Sequence, residues 1–329
     1  MSKLDAIAAR AAAMSNARLQ QGVTSALVLG GGGWAAFHLA VGQWAWAAWA
    51  LVVPVFHAAV LGLELVWAAV AARSPASRRP LGQPEAVPHP HPPASVWVKA
   101  WLQEIGASAL TFGWRQPWAY ARHRDHLPAT ARGRTGVLLV HGYLCNRGFW
   151  NPWLTRLEQA DVPYVAVSLE PPFGRIQAQA QCLHEAWEQL MQATGKPPLL
   201  VGHSLGGVVI RQWLSTQTDA VALEHQVVTI GSPHHGTLLA SFSRSKLGAQ
   251  LQLMSPCLQQ LAASESPERR ARMTCYWSVC DNVVFPANTA TLPGARNVAV
   301  WGRAHVALAH DPLILQDVQQ RAVAGSAPL

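Results

Sequence analysis

From Val23 to Ala72 the chain runs for 50 residues with a single Asp, Glu, Lys or Arg, which is Glu64. One crossing of a bilayer takes about 20 apolar residues, so this stretch has room for two helices. They are expected near 23–42 and 46–72, turning at Gly42-Gln43. Gly30 to Gly33 fall inside the first helix, where lipid tolerates them and where they would allow close helix contact. Pro54 is expected to kink the second helix. Trp44, Trp46 and Trp49 would lie at the interface near the turn. The stretch is far longer than the roughly 7–15 apolar residues of a cleaved signal.

After residue 136 the pattern changes. Short apolar runs appear at 137–140, 163–168, 198–202, 226–230, 275–279 and 297–301. They are rich in β-branched or aromatic residues, and most are separated by helix-length segments such as 176–194 and 206–217. That alternation predicts βα units around a mostly parallel sheet. The segment 237–273 is longer than a connection needs and reads as a cap or lid.

The intervening segments have their own character. Residues 74–95 are rich in proline and end in VPHPHPPAS, which predicts a linker or a polyproline spacer. Residues 96–120 mix Trp97, Trp101, Trp114 and Trp118 with Lys99 and Arg115. Such a helix could lie on a membrane surface or pack on the following domain, and both remain open from sequence. The expected organisation is a membrane region at 1–73, the linker at 74–95 and a globular domain at 96–329, with its core from about 136.

Composition sharpens this picture. Half the residues are hydrophobic and 13% are charged, against about 25% in an average soluble domain. Mean hydropathy is positive at +0.12, and the pI is about 9.7. No nucleic-acid-binding module accompanies the net charge of +8, so no nucleic-acid partner is expected and a membrane surface explains the charge better. The cluster of Arg269, Arg270 and Arg272 is expected on a solvated helix face. Lys3, Arg10 and Arg18 precede the apolar stretch, and Arg73, Arg78 and Arg79 follow it. Basic residues on both sides of a hairpin place both of its ends on the cytoplasmic side. Five cysteines, an odd number with no CxxC pair, argue against a disulfide framework or a zinc site.

Candidate chemistry centres on LLVGHSLGG at 199–207. Gly202-His203-Ser204-Leu205-Gly206 fits G-x-S-x-G, follows an apolar strand and precedes a helix-like segment. That is the setting of a nucleophile elbow, whose partners follow in the order Ser, acid, His. A serine hydroxyl needs such a base. Asp281 directly follows a predicted strand, whereas Asp219, Asp311 and Asp317 lack that placement. His305 comes a few residues after the last strand. His310 reads as part of the following helix, His203 as packing beside its strand, His141 as structural, and His234 and His235 as out of order. The developing oxyanion needs main-chain N–H donors. Leu205 is one candidate and Tyr143, after the first core strand, the other.

The chain thereby resembles the α/β-hydrolase superfamily, and within it bacterial lipases and esterases. It is also similar to the GPI-inositol-deacylase-like and cholesterol-acyltransferase-like branches. The matching segments are VHGY at 140–143, SLEPPFG at 168–174, VGHSLGG at 201–207, GSPHHGT at 231–237, the strand end at Asp281, and AHVALAHDP at 304–312. The resemblance covers roughly residues 136–320. It implies an α/β-hydrolase fold preceded by a transmembrane hairpin, with Ser204 as nucleophile, Asp281 as acid, His305 as base, and Tyr143 and Leu205 as oxyanion donors. Secreted lipases of this kind often hold calcium through an Asp two residues after the catalytic His. Ala307 stands there, so no metal is expected, and no cofactor. The expected activity is cleavage of carboxylic esters of acyl lipids or other apolar molecules, at a bacterial inner membrane with the catalytic domain on the cytoplasmic side. Acyl transfer, thioester cleavage and an idle membrane scaffold are the alternatives.

Overall fold

The computed structural model describes residues 15–83 and 85–325 of the 329-residue chain. Lys3 and Arg10, expected to flank the hairpin on its basic side, therefore lie outside the described residues.

Helix α1 spans Asn16–Ala40 and α2 spans Val52–Ala71, joined by Gly42 at φ +71°, a short helix at Trp44–Ala47 and a 3-10 turn at Ala48–Leu51. Both arms are long and apolar enough to cross a membrane. At 1.5 Å per residue, the 25 residues of α1 span about 38 Å, more than the ~30 Å hydrocarbon core. Their large apolar side chains are exposed along most of their length, with Leu29 at 74% and Trp44 at 72%. Burial returns where the hairpin meets the rest of the protein, at Asn16 and Ala17 in α1 and at Leu61, Leu65 and Ala68 in α2. Two expectations change here. Pro54 occupies the first turn of α2, where its missing N–H costs nothing, so the break is the 3-10 turn before it and not a mid-helix kink. Nothing lies within 4 Å of a Cβ placed on any of Gly30 to Gly33, so these glycines do not bring the two helices into contact.

The proline-rich stretch is not a free spacer. The Leu81 N–H donates to Thr291 Oγ1 at 2.9 Å, Asn288 Nδ2 donates to the Ala76 carbonyl at 3.1 Å, and His89 packs edge-on against Trp277. Helix α3, Ala94–Leu110, continues through a wider turn at 111–115. It buries Ala100, Glu104, Ser108 and Thr111 in one stripe and leaves Val98, Leu102 and Leu110 exposed. The helix therefore packs on the domain and also presents an apolar outer face.

Six strands form one parallel sheet in the order β2-β1-β3-β4-β5-β6: β1 Val137–Val140, β2 Tyr164–Ala166, β3 Leu199–His203, β4 Val227–Ile230, β5 Met273–Trp277 and β6 Arg296–Ala299. Helices cover both faces, as a fully parallel sheet requires. On one side, α5 (Ile176–Thr194) and α6 (Leu205–Leu214) bury Leu183, Leu190, Val208 and Trp213. On the other, α4 (Asn151–Gln159) and α8 (Pro312–Ala324) bury Trp153, Leu157, Ile314 and Val318. Residues 238–271 form a 3-10 turn and three short helices outside the sheet. Within them Arg269 pairs with Asp219 at 2.7 Å and Arg270 with Glu265 at 3.3 Å, so these two arginines are tied down, while Arg272 is exposed as expected. The strand order reverses between β1 and β3, and the crevice beyond their carboxyl ends is where ligands bind in such sheets.

Candidate active site

Ser204 sits between β3 and α6 with φ +54° and ψ −125°. A side chain at positive φ is strained, and such strain persists only where the surroundings over-determine it. Here the surroundings are glycine. A Cβ on Gly202 would stand 2.5 Å from the Gly207 nitrogen, and one on Gly206 would strike the Val140 carbonyl. Gly142, at the end of β1, is equally confined, since its Cβ would fall 2.9 Å from the Ser204 Cβ. These contacts bring the loop after β1 against the turn that carries the serine.

Asp281 lies in the loop after β5 and is 1% exposed. Its Oδ1 accepts the main-chain N–H groups of Val283 and Val284 at 2.9 and 2.8 Å. His305 opens the short helix α7, His305–Ala309, with its Nδ1 3.0 and 2.9 Å from the two Asp281 oxygens. An N–H on Nδ1 leaves Nε2 unprotonated and able to act as a base. Burial by itself would lower the His305 pKa, but the charge and hydrogen bond of Asp281 outweigh it, and the pKa ends above 6.5.

His305 and Ser204 line one cavity of about 350 Å³ together with Gly142, Tyr143, Glu64 and Glu104. Ser204 and Tyr143 also line a second, apolar cavity of about 190 Å³, walled by Leu239, Ala240, Leu247, Leu251 and Val284. The segment read as a cap thus forms one wall of the site. A larger concavity of about 470 Å³ lies within the hairpin, but no titratable side chain lines it. The main-chain N–H groups of Tyr143 and Leu205, the expected oxyanion donors, have no acceptor among the described residues.

The other candidates fall elsewhere. Asp219 pairs with Arg269, Asp311 with Arg303, and Asp317 with Arg321. His141 is buried, bonded to the Gly142 carbonyl through Nδ1 and accepting the Leu169 N–H on Nε2. His203 stacks on Phe149 at 4.5 Å, and its ring centroid lies 4.6 Å from that of His305 with the planes tilted by 45°. Burial holds it neutral, far below 6.5. His234 is enclosed by Arg211 and Thr229. His310 ends α7 and does not belong to the following helix, which Asp311 caps.

Sequence reasoning passed over three residues around His305. Both oxygens of Glu104 accept main-chain N–H groups of α7, from Val306 at 2.8 Å and Ala307 at 2.9 Å. Asn282 Oδ1 accepts the His305 N–H at 3.0 Å, and Asn282 Nδ2 donates to Glu64 Oε2 at 2.7 Å. Glu64 carried a usable signal, as the lone charge in an apolar stretch.

The profile of the alpha/beta hydrolase family matches residues 137–327. Among solved structures, the mature form of a Bacillus licheniformis lipase is 18% identical, with 61% of this chain and 94% of that one covered, at a TM-score of 0.48. Aspergillus fumigatus lipase B is 15% identical, with 54% and 47% covered, at 0.45. A Paleococcus ferrophilus monoacylglycerol lipase is 14% identical, with 58% and 97% covered, at 0.42. No curated protein matches the chain.

Proposed function

The chain belongs to the alpha/beta hydrolase family, and from that membership we propose that it is a membrane-anchored serine hydrolase of apolar carboxylic esters. One observation carries the proposal. Ser204 stands on a strained turn and shares a cavity with His305, whose Nδ1 is held by the buried Asp281.

The chemistry follows from the placement. Ser204 Oγ attacks the ester carbonyl carbon, and its proton passes to His305 Nε2. The carbonyl oxygen becomes an oxyanion, received by the N–H groups of Leu205 and Tyr143, each lowering the barrier by about 3–4 kcal/mol. The intermediate collapses, the alcohol leaves with the proton from His305, and Ser204 keeps the acyl group. Water then attacks the acyl-enzyme, giving its proton to His305, and the acid departs as Ser204 is restored. Asp281 holds the imidazole in its tautomer and stabilises the imidazolium.

Lipid as substrate is supported by what surrounds the apolar cavity. Leu238 and Phe242 are exposed on the segment that walls it, and Phe242 stacks on Trp67 of α2 with ring centroids 5.4 Å apart. The apolar surface of the hairpin therefore continues to the edge of the cavity. Cytoplasmic placement is supported by Arg18, Arg73, Arg78 and Arg79 beside the hairpin, whose two ends both dock on the domain. The test is hydrolysis of esters of rising chain length by the full chain in vesicles. Rates should rise with chain length, whereas a strong preference for short soluble esters would contradict the lipid assignment. A C-terminal reporter active only on the periplasmic side would contradict the orientation.

A further inference from the structure

An ionisable residue inside an apolar helix is costly when it faces lipid and is retained when it faces a polar partner. Glu64 is in the second situation, and His57 and Leu61 lie beside it along the cavity. These three residues, at spacings of four and three, lie on one face of α2 and line the Ser204–His305 cavity. The same helix packs through Leu65 against Ala100, Cys280 and Ala304, next to the residues of the site. Val66 points the other way and is 57% exposed.

Asn282 links this helix to the candidate base. It is 1% exposed and directly follows Asp281. Its Nδ2 donates to Glu64 Oε2 at 2.7 Å, and its Oδ1 accepts the His305 main-chain N–H at 3.0 Å. An ionised carboxylate only accepts hydrogen bonds, whereas an amide has one end of each kind. Glu64 thereby selects the amide orientation that turns oxygen towards His305. With the acceptor removed, the buried Asn282 NH₂ is left without a partner, and the amide is held by the His305 N–H alone.

We infer that Glu64 is a positioning residue: through Asn282 it fixes the main chain of His305, so the apolar hairpin completes the active site as well as tethering it. This role rests on the hydrolase reading above.

The experiment uses the full chain in detergent micelles, with a p-nitrophenyl ester for kcat and KM and a fluorophosphonate for labelling rate. Activities are normalised to folded protein. Glu64→Leu, which keeps bulk and loses the acceptor, should lower kcat by about ten-fold with KM little changed, the size of one lost hydrogen bond. Labelling should slow in proportion. Glu64→Gln keeps an acceptor and should stay within about three-fold of the native chain. Val66→Ala on the lipid face should have no effect. Asn282→Asp removes the donor and should lose activity, and the double change Asn282→Asp with Glu64→Gln, which reverses donor and acceptor, should recover much of it. A packing role alone would not give that recovery. Native kcat in Glu64→Leu, equal losses in the Leu and Gln variants, or no recovery in the double variant would overturn the role while leaving the hydrolase reading intact. A native chain that neither labels nor hydrolyses would overturn both.

Discussion

His305 Nδ1 lies 3.0 and 2.9 Å from the two oxygens of Asp281, and Asp281 Oδ1 also takes the N–H groups of Val283 and Val284. The carboxylate is thus fixed before the histidine meets it. Burial lowers the His305 pKa but the Asp281 charge and hydrogen bond outweigh it, while the facing His203 stays neutral, and the His305 pKa lies above 6.5. In the proposed mechanism Nε2 has to be unprotonated to take the serine proton. Activity should therefore fall as pH drops, with kcat/KM showing an acid limb whose apparent pKa exceeds 6.5. Asp281→Asn should move that limb down and lower kcat on the order of 10³–10⁴-fold, as loss of the orienting carboxylate does in serine triads. A limb below 6.5 in the native enzyme would contradict the assigned base.

Glu104 holds the other side of α7. Its two oxygens satisfy two N–H groups in the first turn, the cap that a helix start requires. Glu104→Ala should cost about 2–4 kcal/mol, because two buried donors lose their acceptor. Burial pushes the Glu104 pKa up to about 7, against the opposing effect of those two hydrogen bonds. A folded pKa raised from 4.5 gives stability that is full below pH 4.5 and lost as pH rises through about 7. The unfolding midpoint of the native chain should therefore decline over that window more than that of Glu104→Gln. Parallel declines would contradict this titration.

Strain at the elbow can be weighed by comparing two inactive variants. Ser204→Ala keeps a Cβ at φ +54°, and Ser204→Gly removes it. The glycine variant should be more stable by about 1 kcal/mol, the strain relieved less the extra chain entropy of glycine. Equal denaturation midpoints would show that the turn stores no such strain.

The glycines of the turn have no spare room. Gly202→Ala and Gly206→Ala should each cost on the order of 3 kcal/mol by overpacking and abolish labelling of Ser204. Thermal unfolding checks the first effect and probe incorporation the second. Gly30→Ala in α1, where nothing lies within 4 Å, is the control and should leave labelling unchanged and the unfolding midpoint no lower.

The parts of the fold legible in sequence are those set by local pattern. Helix α5 covers 176–194 as expected, because its apolar periodicity is strong. The strands were readable because short β-branched runs must be buried on both faces of a parallel sheet. Strand β5 begins at Met273, two residues before the predicted 275, where the preceding Arg-rich segment masks the start. Ser204 directly follows β3, whereas Asp281 and His305 come four and six residues after β5 and β6, close enough for the strand pattern to single them out as candidates.

The surroundings of His305 were less legible, for two physical reasons. Glu64 and Asn282 are 218 residues apart, and Glu104 and Val306 are 202 apart, so only packing reveals either pair. Helix α3 is also inverted relative to a helix in water. It buries small and polar residues such as Ser108 and Glu104 and exposes Val98 and Leu102. A reading that places apolar residues inside assigns its faces the wrong way round.

The identity of the nucleophile is tested most directly by intact mass after fluorophosphonate treatment of the full chain in detergent. The native protein should gain the mass of one phosphonyl group, on the peptide containing Ser204, and Ser204→Ala should gain none. Labelled Ser204→Ala, or a folded native chain that stays unlabelled, would contradict Ser204 as the nucleophile of this site.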